Sequence, residues 1–172
     1  MYRKHWKLLR RPFDERLDPS WFFGSAHHQG MLLKLRCVVN QREPIAILAG
    51  AVGCGKSMVA TTLADNLTTE THPAVYLHSP PETVADVLRG ILDELHHGGP
   101  SVTAKGDGEP HAQLVQTLKT QLGRRAQAGQ HPVIFLDAAD LLPETEFHSL
   151  IRTLRDLTLE KFIEGFPWAS YD

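Results

Sequence analysis

Residues 45–57 constrain the fold of this chain more than any other stretch. They read Ile-Ala-Ile-Leu-Ala and then Gly-Ala-Val-Gly-Cys-Gly-Lys-Ser, an apolar run followed by the spacing G-x-x-x-x-G-K-S. The apolar run predicts a buried strand over residues 45–49, and a helix is predicted to begin near Met58. A strand, a glycine-rich loop and a helix in this order are typical of a phosphate-binding P-loop, the Walker A motif.

The residue types in this loop suit the phosphates of a nucleotide. Gly50 and Gly55 permit turns that other residues enter only with strain, and Gly53 lets the backbone approach a phosphate closely. Successive N–H groups then form an anion-binding nest, which the helix N-terminus reinforces with its partial positive charge. Lys56 would contact the outer phosphates as a catalytic cation, and Ser57 would place its hydroxyl on Mg²⁺.

We therefore expect the loop to bind ATP with Mg²⁺, or to descend from a loop that did. The residues expected to contact the nucleotide are Gly50, Ala51, Val52, Gly53, Cys54, Gly55, Lys56, Ser57 and Met58.

Length and charge narrow the class of protein. The chain has 172 residues, enough for one domain with its own core but not comfortably for two. A net charge of −2 gives no general electrostatic case for binding nucleic acid or a membrane surface. No apolar run reaches the ~18–20 residues of a membrane helix, and no apolar segment follows the basic N-terminus as in a signal peptide. We expect a cytoplasmic protein without direct membrane insertion.

Neither the cysteines nor the histidines predict a further site. Cys37 and Cys54 form no disulfide framework, and Cys54 lies inside the phosphate loop, so reduced thiols are expected. The histidines include two adjacent pairs, 27–28 and 96–97. Neighbours on a helix do not face each other, so neither pair has the spacing of a zinc site.

Strands are predicted to alternate with helices after the loop. Short apolar runs predict strands over residues 73–78 and 132–137, the second covered on both faces. Helical spacing of apolar residues predicts five helices: one capped by Ser25 and ending near Gln41, the loop helix, one spanning Val84 to Leu95, one through Leu114, Leu118 and Leu122 that Gly129 closes, and one from Pro143. This alternation indicates an α/β fold of three layers, αβα, around a mainly parallel sheet.

The chain divides by composition into three parts, the second of which contains a loop. Residues 1–24 are rich in aromatic residues and prolines, and we expect them to form an arm that packs on the core. Residues 25–160 form the P-loop NTPase core, and residues 161–172 form a C-terminal tail. Within the core, residues 97–110 are glycine-rich and polar and predict a flexible loop. A role for that loop in contacting DNA or a partner stays open.

Asp137 is the expected second ligand of the metal. It follows the apolar run Val133–Leu136, and an acid at the carboxyl end of a strand commonly holds the Mg²⁺ of a P-loop NTPase. The alternative is that the strand simply ends in an aspartate that favours a turn.

Hydrolysis needs one more group, a base or a residue that positions water beside the γ-phosphate. Many P-loop ATPases carry a glutamate directly after the metal-linked aspartate, whereas this chain has Ala138. Asp140 is our candidate for this catalytic role, with Glu82 and Glu144 as alternatives.

Motifs in the arm, the P-loop and the last predicted helix together resemble those of a known family. Tyr2, His5-Trp6, Arg11-Pro12-Phe13, Asp18-Pro19, Trp21-Phe22-Phe23, His28, the P-loop and Leu154-Arg155-Asp156-Leu157 resemble the ExeA-like group of AAA ATPases, general secretion pathway component A. That group is related to the ATPase subunits of transposition systems. The resemblance covers roughly residues 1–160, and its arm and loop are the specific parts.

The resemblance implies an AAA-type core with ATP and Mg²⁺, self-association or association with partner ATPase subunits, and a secretion, pilus or transposition assembly as client. The resemblance implies contact with DNA only if the client is a transposition assembly, and the net charge of the chain does not support DNA binding. The family's glutamate and glutamine align with Ala138 and Asp140, which puts hydrolysis in question. The family's sensor strand, fifth strand, arginine finger and lid are not found, so the chain is expected to correspond to the N-terminal part, truncated after the strand that ends at Asp137 and the following helix.

Three functions from different classes follow. The first is an ATP-binding AAA-type domain that hydrolyses ATP or has lost that activity. The second is a non-catalytic nucleotide-binding subunit that regulates a partner. The third is a small P-loop kinase, which would need an arginine-rich lid and a substrate pocket that the sequence does not display.

Overall fold

The helices and strands of the chain follow the predicted alternation. The computed structural model describes residues 5–7, 17–77, 82–96 and 110–163, with side chains described as far as residue 157. Within these ranges the helices are α1 (Ala26–Gln41), α2 (Lys56–Asn66), α3 (Val84–His96), α4 (His111–Gln127) and α5 (Glu144–Ile163), and the strands are β1 (Ala74–Leu77) and β2 (Val133–Leu136). Short 3₁₀ turns lie at Pro19–Trp21 and Ala139–Leu141.

The two strands pair in parallel. Ala74 is opposite Val133 and Leu77 is opposite Leu136, and the rings of Tyr76 and Phe135 stack across the pair at 5.5 Å. The carboxyl ends of parallel strands lie at the same edge of a sheet, so Asp137 emerges beside the end of β1. This confirms the predicted α/β class with a parallel sheet and fixes the position of the acid.

The strand predicted over residues 45–49 is wrong for the described part of the chain. Those residues belong to no strand, and the side chain of Ile47 is 72% exposed. An apolar run predicts burial, but a strand also needs a neighbour to complete its ladder of hydrogen bonds. The two described strands pair with each other and leave this segment without a ladder partner among the described residues.

The hydrophobic core lies among α3, α4, α5 and the inner side of β1. All six predicted apolar positions of α3 are buried, namely Val84, Val87, Leu88, Ile91, Leu92 and Leu95. Leu114 and Leu118 of α4 and Leu150 and Leu157 of α5 pack against them. A carboxylate oxygen of Glu146 in α5 accepts a hydrogen bond from the Val84 N–H at 2.8 Å, which ties the start of α3 to α5. The helical periodicity therefore identified the core correctly.

Helix α1 lies beside this core instead of inside it. Ser25 caps it as predicted by accepting from the His28 N–H, and Arg42 ends it in the left-handed conformation. The helical spacing of its apolar residues predicts that they pack in the core. They are only half-buried, however, and no residue of α1 is fully buried; these residues are Met31, Leu32, Leu35, Val38 and Val39. Strand β2, predicted to be covered on both faces, is likewise half-buried at every position. Helix α1 packs chiefly on α2, which carries the phosphate loop.

Some predictions fall outside the described residues. They concern residues 1–4 and 8–16 of the arm, the loop at residues 97–109 and the tail from residue 164 onwards. Of the arm, the turn at Pro19–Trp21 packs against α2. The domain boundaries stay predictions. No helix in the described part of the chain is both long enough and apolar enough to cross a membrane.

Candidate functional site

The glycines shape the loop before α2, although not in the way the spacing alone suggested. Gly53 and Gly55 have φ angles of 79° and 88°, in the left-handed region that favours glycine. Gly50, expected to need such a turn, is absent from that region. A Cβ on Gly50 would instead lie 2.9 Å from the Cys54 Sγ atom, so a larger residue there would displace the exposed Cys54 side chain. The loop therefore brings residues 50 and 54 close together.

The start of α2 offers unpaired backbone donors. The first hydrogen bond of the helix runs from the Val59 N–H to the Gly55 carbonyl, and no side chain caps this end. The N–H groups of residues 55–58 consequently have no acceptor within the helix. Together with the partial positive charge of a helix N-terminus, these donors are suited to an anion.

Lys56 folds over the loop. Its Nζ atom donates to the carbonyl oxygens of Gly50 and Ala51, each at 3.0 Å. An ammonium group has three donors, so these two contacts leave one further N–H. The positive charge of Lys56 is thus held at the first two residues of the loop.

Ser57 and Asp137 meet although they lie far apart in the sequence. The Ser57 hydroxyl donates to the Asp137 Oδ1 atom at 3.0 Å, across a separation of 80 residues. The same oxygen accepts from the Ala138 N–H at 3.0 Å, which holds the carboxylate in place. The pairing of β1 with β2 brings the carboxylate to the first turn of α2. The structure therefore brings together the two residues predicted to hold the metal.

The donor set at this point fits Mg²⁺. One hydroxyl and one carboxylate converge, and no group of three or more histidine, cysteine or acidic side chains among the described residues could hold a metal ion. Mg²⁺ is usually held by one or two carboxylates, several waters and substrate phosphates, not by an all-protein cage. Ser57 and Asp137 are the residues that would hold it.

Tyr76 and Thr61 extend this cluster, and the sequence did not reveal either. The Thr61 hydroxyl donates to the Tyr76 oxygen at 3.4 Å, and the Tyr76 hydroxyl donates to the Asp137 Oδ2 atom at 3.4 Å. Burial raises the pKa of Tyr76, the hydrogen bond from Thr61 lowers it, and the charge of Asp137 raises it, with a net increase. Tyr76 therefore stays protonated and available as a donor to the carboxylate. The sequence signal that could have identified Tyr76 is a ring with a hydroxyl group near the end of an otherwise apolar strand.

The candidates for positioning water are not gathered at the site. Ala138 adopts the left-handed conformation, with φ of 54°, and begins the turn that carries Asp140. Asp140, Glu82 and Glu144 are exposed, and within the described ranges no hydrogen bond or ion pair joins any of them to the loop or to Asp137. The catalytic role of Asp140 stays a prediction.

The sequence of this chain is similar to that of known proteins. The sequence profile of the AAA domain matches residues 39–164. General secretion pathway protein A of Aeromonas hydrophila is 29% identical over 145 residues, which cover 83% of this chain and 25% of that protein. The chain thus spans about a quarter of the length of this relative. No solved structure matches the chain.

Proposed function

This chain belongs to the AAA domain family, and we propose that it binds ATP together with Mg²⁺ at the loop formed by residues 50–57. The observation that carries the proposal is the 3.0 Å hydrogen bond between Ser57 and Asp137. It joins the end of the loop to the end of β2. A hydroxyl from the loop and a carboxylate at the end of a strand are the groups that hold Mg²⁺ in P-loop NTPases. The profile match and the resemblance to the ExeA-like group support the same ligand pair.

Each residue of the site has a distinct part in holding the nucleotide. The free N–H groups at the start of α2 would donate to phosphate oxygens, and Lys56 would offset the charge of the outer phosphates. Asp137 and Ser57 would hold the metal, which when bound neutralises charge on the phosphates. Tyr76 would keep the Asp137 carboxylate turned towards Ser57.

Titration calorimetry of the purified chain with Mg²⁺-ATP tests this proposal. Lys56→Ala is expected to weaken binding by ~10- to 100-fold or to abolish it, since a hydrogen bond to a charged group contributes about 1.5–3 kcal/mol. Lys34→Ala, which removes an exposed lysine from α1, is the matched control and should bind like the wild type. Equal affinity of the two variants would refute the assignment of the site.

Hydrolysis by the wild type is proposed to be weak, because Ala138 cannot orient water. Ala138→Glu is expected to raise turnover, and correctly placed acid–base groups contribute up to about 10²–10⁴-fold. Ala138→Gly is the matched control, since it relieves the left-handed backbone without adding a carboxylate and should leave turnover low. A steady-state phosphate-release assay compares the three proteins. Robust turnover by the wild type would show that another group, Asp140 foremost, positions the water.

A non-catalytic, regulatory nucleotide-binding subunit is the second candidate, and the same alanine favours it. In that case ATP binding would change association with a partner ATPase or with further copies of the chain. The name of the relative, a general secretion pathway protein, favours a secretion assembly over a transposition complex as client. Sedimentation velocity with and without Mg²⁺-ATP measures self-association, and stimulated hydrolysis on mixing with a full-length relative measures a regulatory effect.

A further inference from the structure

We propose that His28 is a positioning residue for the phosphate loop: its imidazole holds the Cys54–Gly55 peptide group in the orientation that points the Gly55 N–H towards the phosphates. The proposal deepens the ATP-binding function and rests on it. His28 belongs to the first turn of α1, outside the loop and outside the residues that would contact the nucleotide.

The imidazole bridges two segments of the chain. Its Nε2 atom lies 3.1 Å from the Cys54 carbonyl oxygen, 26 residues further along, and its Nδ1 atom lies 2.7 Å from the Ser25 hydroxyl. A Cβ on Gly55 would lie 3.0 Å from the same Nε2 atom. Glycine at position 55 therefore serves the close approach of His28 as well as the left-handed turn.

These contacts define the tautomer of His28. A carbonyl oxygen only accepts hydrogen bonds, so Nε2 must carry the proton that it donates to Cys54. In the neutral ring Nδ1 then accepts, and the Ser25 hydroxyl donates to it. The Ser25 oxygen is at the same time the acceptor for the His28 N–H that caps α1. The ring thus links the cap of α1 to the phosphate loop through Ser25 and Cys54.

The hydrogen bond to Cys54 also sets the direction of the next N–H. The Cys54 carbonyl and the Gly55 N–H belong to one planar peptide unit, and in a trans peptide the two groups point in opposite directions. Fixing the carbonyl towards His28 therefore turns the Gly55 N–H away from it. Gly55 accepts both signs of φ easily, so a contact from outside the loop helps to fix the orientation of this peptide.

The arm before α1 supports the ring. The Phe22 and His28 rings form an edge-to-face contact with a centroid distance of 6.1 Å and an interplanar angle of 77°. Phe22 directly follows the turn at Pro19–Trp21, which packs against α2. The arm, the cap of α1 and the phosphate loop are thereby joined through one side chain.

Three variants test the proposal by calorimetry with Mg²⁺-ATP. His28→Leu is expected to weaken binding about 3- to 10-fold, the effect of losing one hydrogen bond. His28→Gln offers an amide N–H at a reach similar to Nε2 and is expected to bind within about twofold of the wild type. His27→Leu, on the exposed neighbour in the same helix turn, is the matched control and should leave affinity unchanged.

A measurement on the nucleotide-free protein separates this proposal from the proposed function. Nitrogen-15 NMR should show a proton on the Nε2 atom of His28, and the Gly55 amide resonance should move in His28→Leu but return in His28→Gln. If the wild type fails to bind Mg²⁺-ATP, the proposed function fails while this amide readout still decides the role of His28. An unmoved Gly55 amide, or equal losses of affinity in the leucine and glutamine variants, would overturn the proposal.

Discussion

The helix cluster and the phosphate site are built by different forces. In the cluster of α3, α4 and α5, leucines such as Leu88 and Leu118 are completely buried, and dispersion and apolar burial hold the elements together. At the site Val52 is fully exposed, and what joins the segments is a small set of hydrogen bonds between polar groups distant in sequence. The comparison teaches that the cluster supplies stability, while the site places its chemistry on an exposed loop, residues 50–54.

The largest expected effect is a loss of stability when the helix cluster is damaged. If the same change also lowered nucleotide affinity, the separation between cluster and site would be wrong. Leu88→Ala should lower the free energy of unfolding by about 2–5 kcal/mol, because it leaves a cavity in the cluster. Its affinity for Mg²⁺-ATP, measured where the variant is still folded, should remain close to that of the wild type. Leu141→Ala, at a leucine that is 64% exposed, is the matched control and should change stability by less than about 0.5 kcal/mol. Chemical denaturation measures both, and equal losses of stability would contradict the account.

A smaller effect is expected for a change at the site, which should alter nucleotide affinity. Tyr76→Phe removes the hydroxyl that donates to Asp137 and keeps the ring stacked on Phe135. Because the hydrogen bond is long, Mg²⁺-ATP affinity should fall only about two- to fourfold, near the lower end of the 0.5–1.5 kcal/mol expected of such a bond. ATP affinity without Mg²⁺ is the internal control and should not change. An equal loss with and without the metal would show that Tyr76 acts on the fold instead of on the carboxylate.

The core could be predicted from the sequence, because apolar residues at helical spacing indicate which side of a helix is buried. Helix α3 places six apolar residues at helical spacing, and the structure buries all six. The same logic failed for residues 45–49, where an apolar run became an exposed segment, because a strand depends on partners that its own sequence does not specify. It overstated α1 for a similar reason, since an apolar stripe does not say how much of a neighbour it meets.

The site could be predicted from the sequence where its residues lie close together in one segment. The glycines, Lys56 and Ser57 have a fixed spacing within one short segment, which the sequence displays directly. Asp137 was predicted because it follows an apolar strand, and parallel strands in an α/β fold end at the same edge of the sheet. Tyr76, Thr61 and His28 act through contacts between segments, and no spacing encodes those. Gly55 illustrates both cases: its left-handed turn was predictable, whereas its approach to His28 required the packing of α1 on α2.

The most direct test of the account compares ATP binding with and without Mg²⁺ in the wild type and in Asp137→Asn. The amide keeps the shape of the side chain but loses the charge that would hold the metal. The account predicts that Mg²⁺ strengthens ATP binding by the wild type and gives little or no gain in Asp137→Asn, with ATP affinity in the absence of metal similar in both. A full gain from Mg²⁺ in the variant would contradict the claim that Asp137 and the phosphate loop serve one nucleotide–metal site.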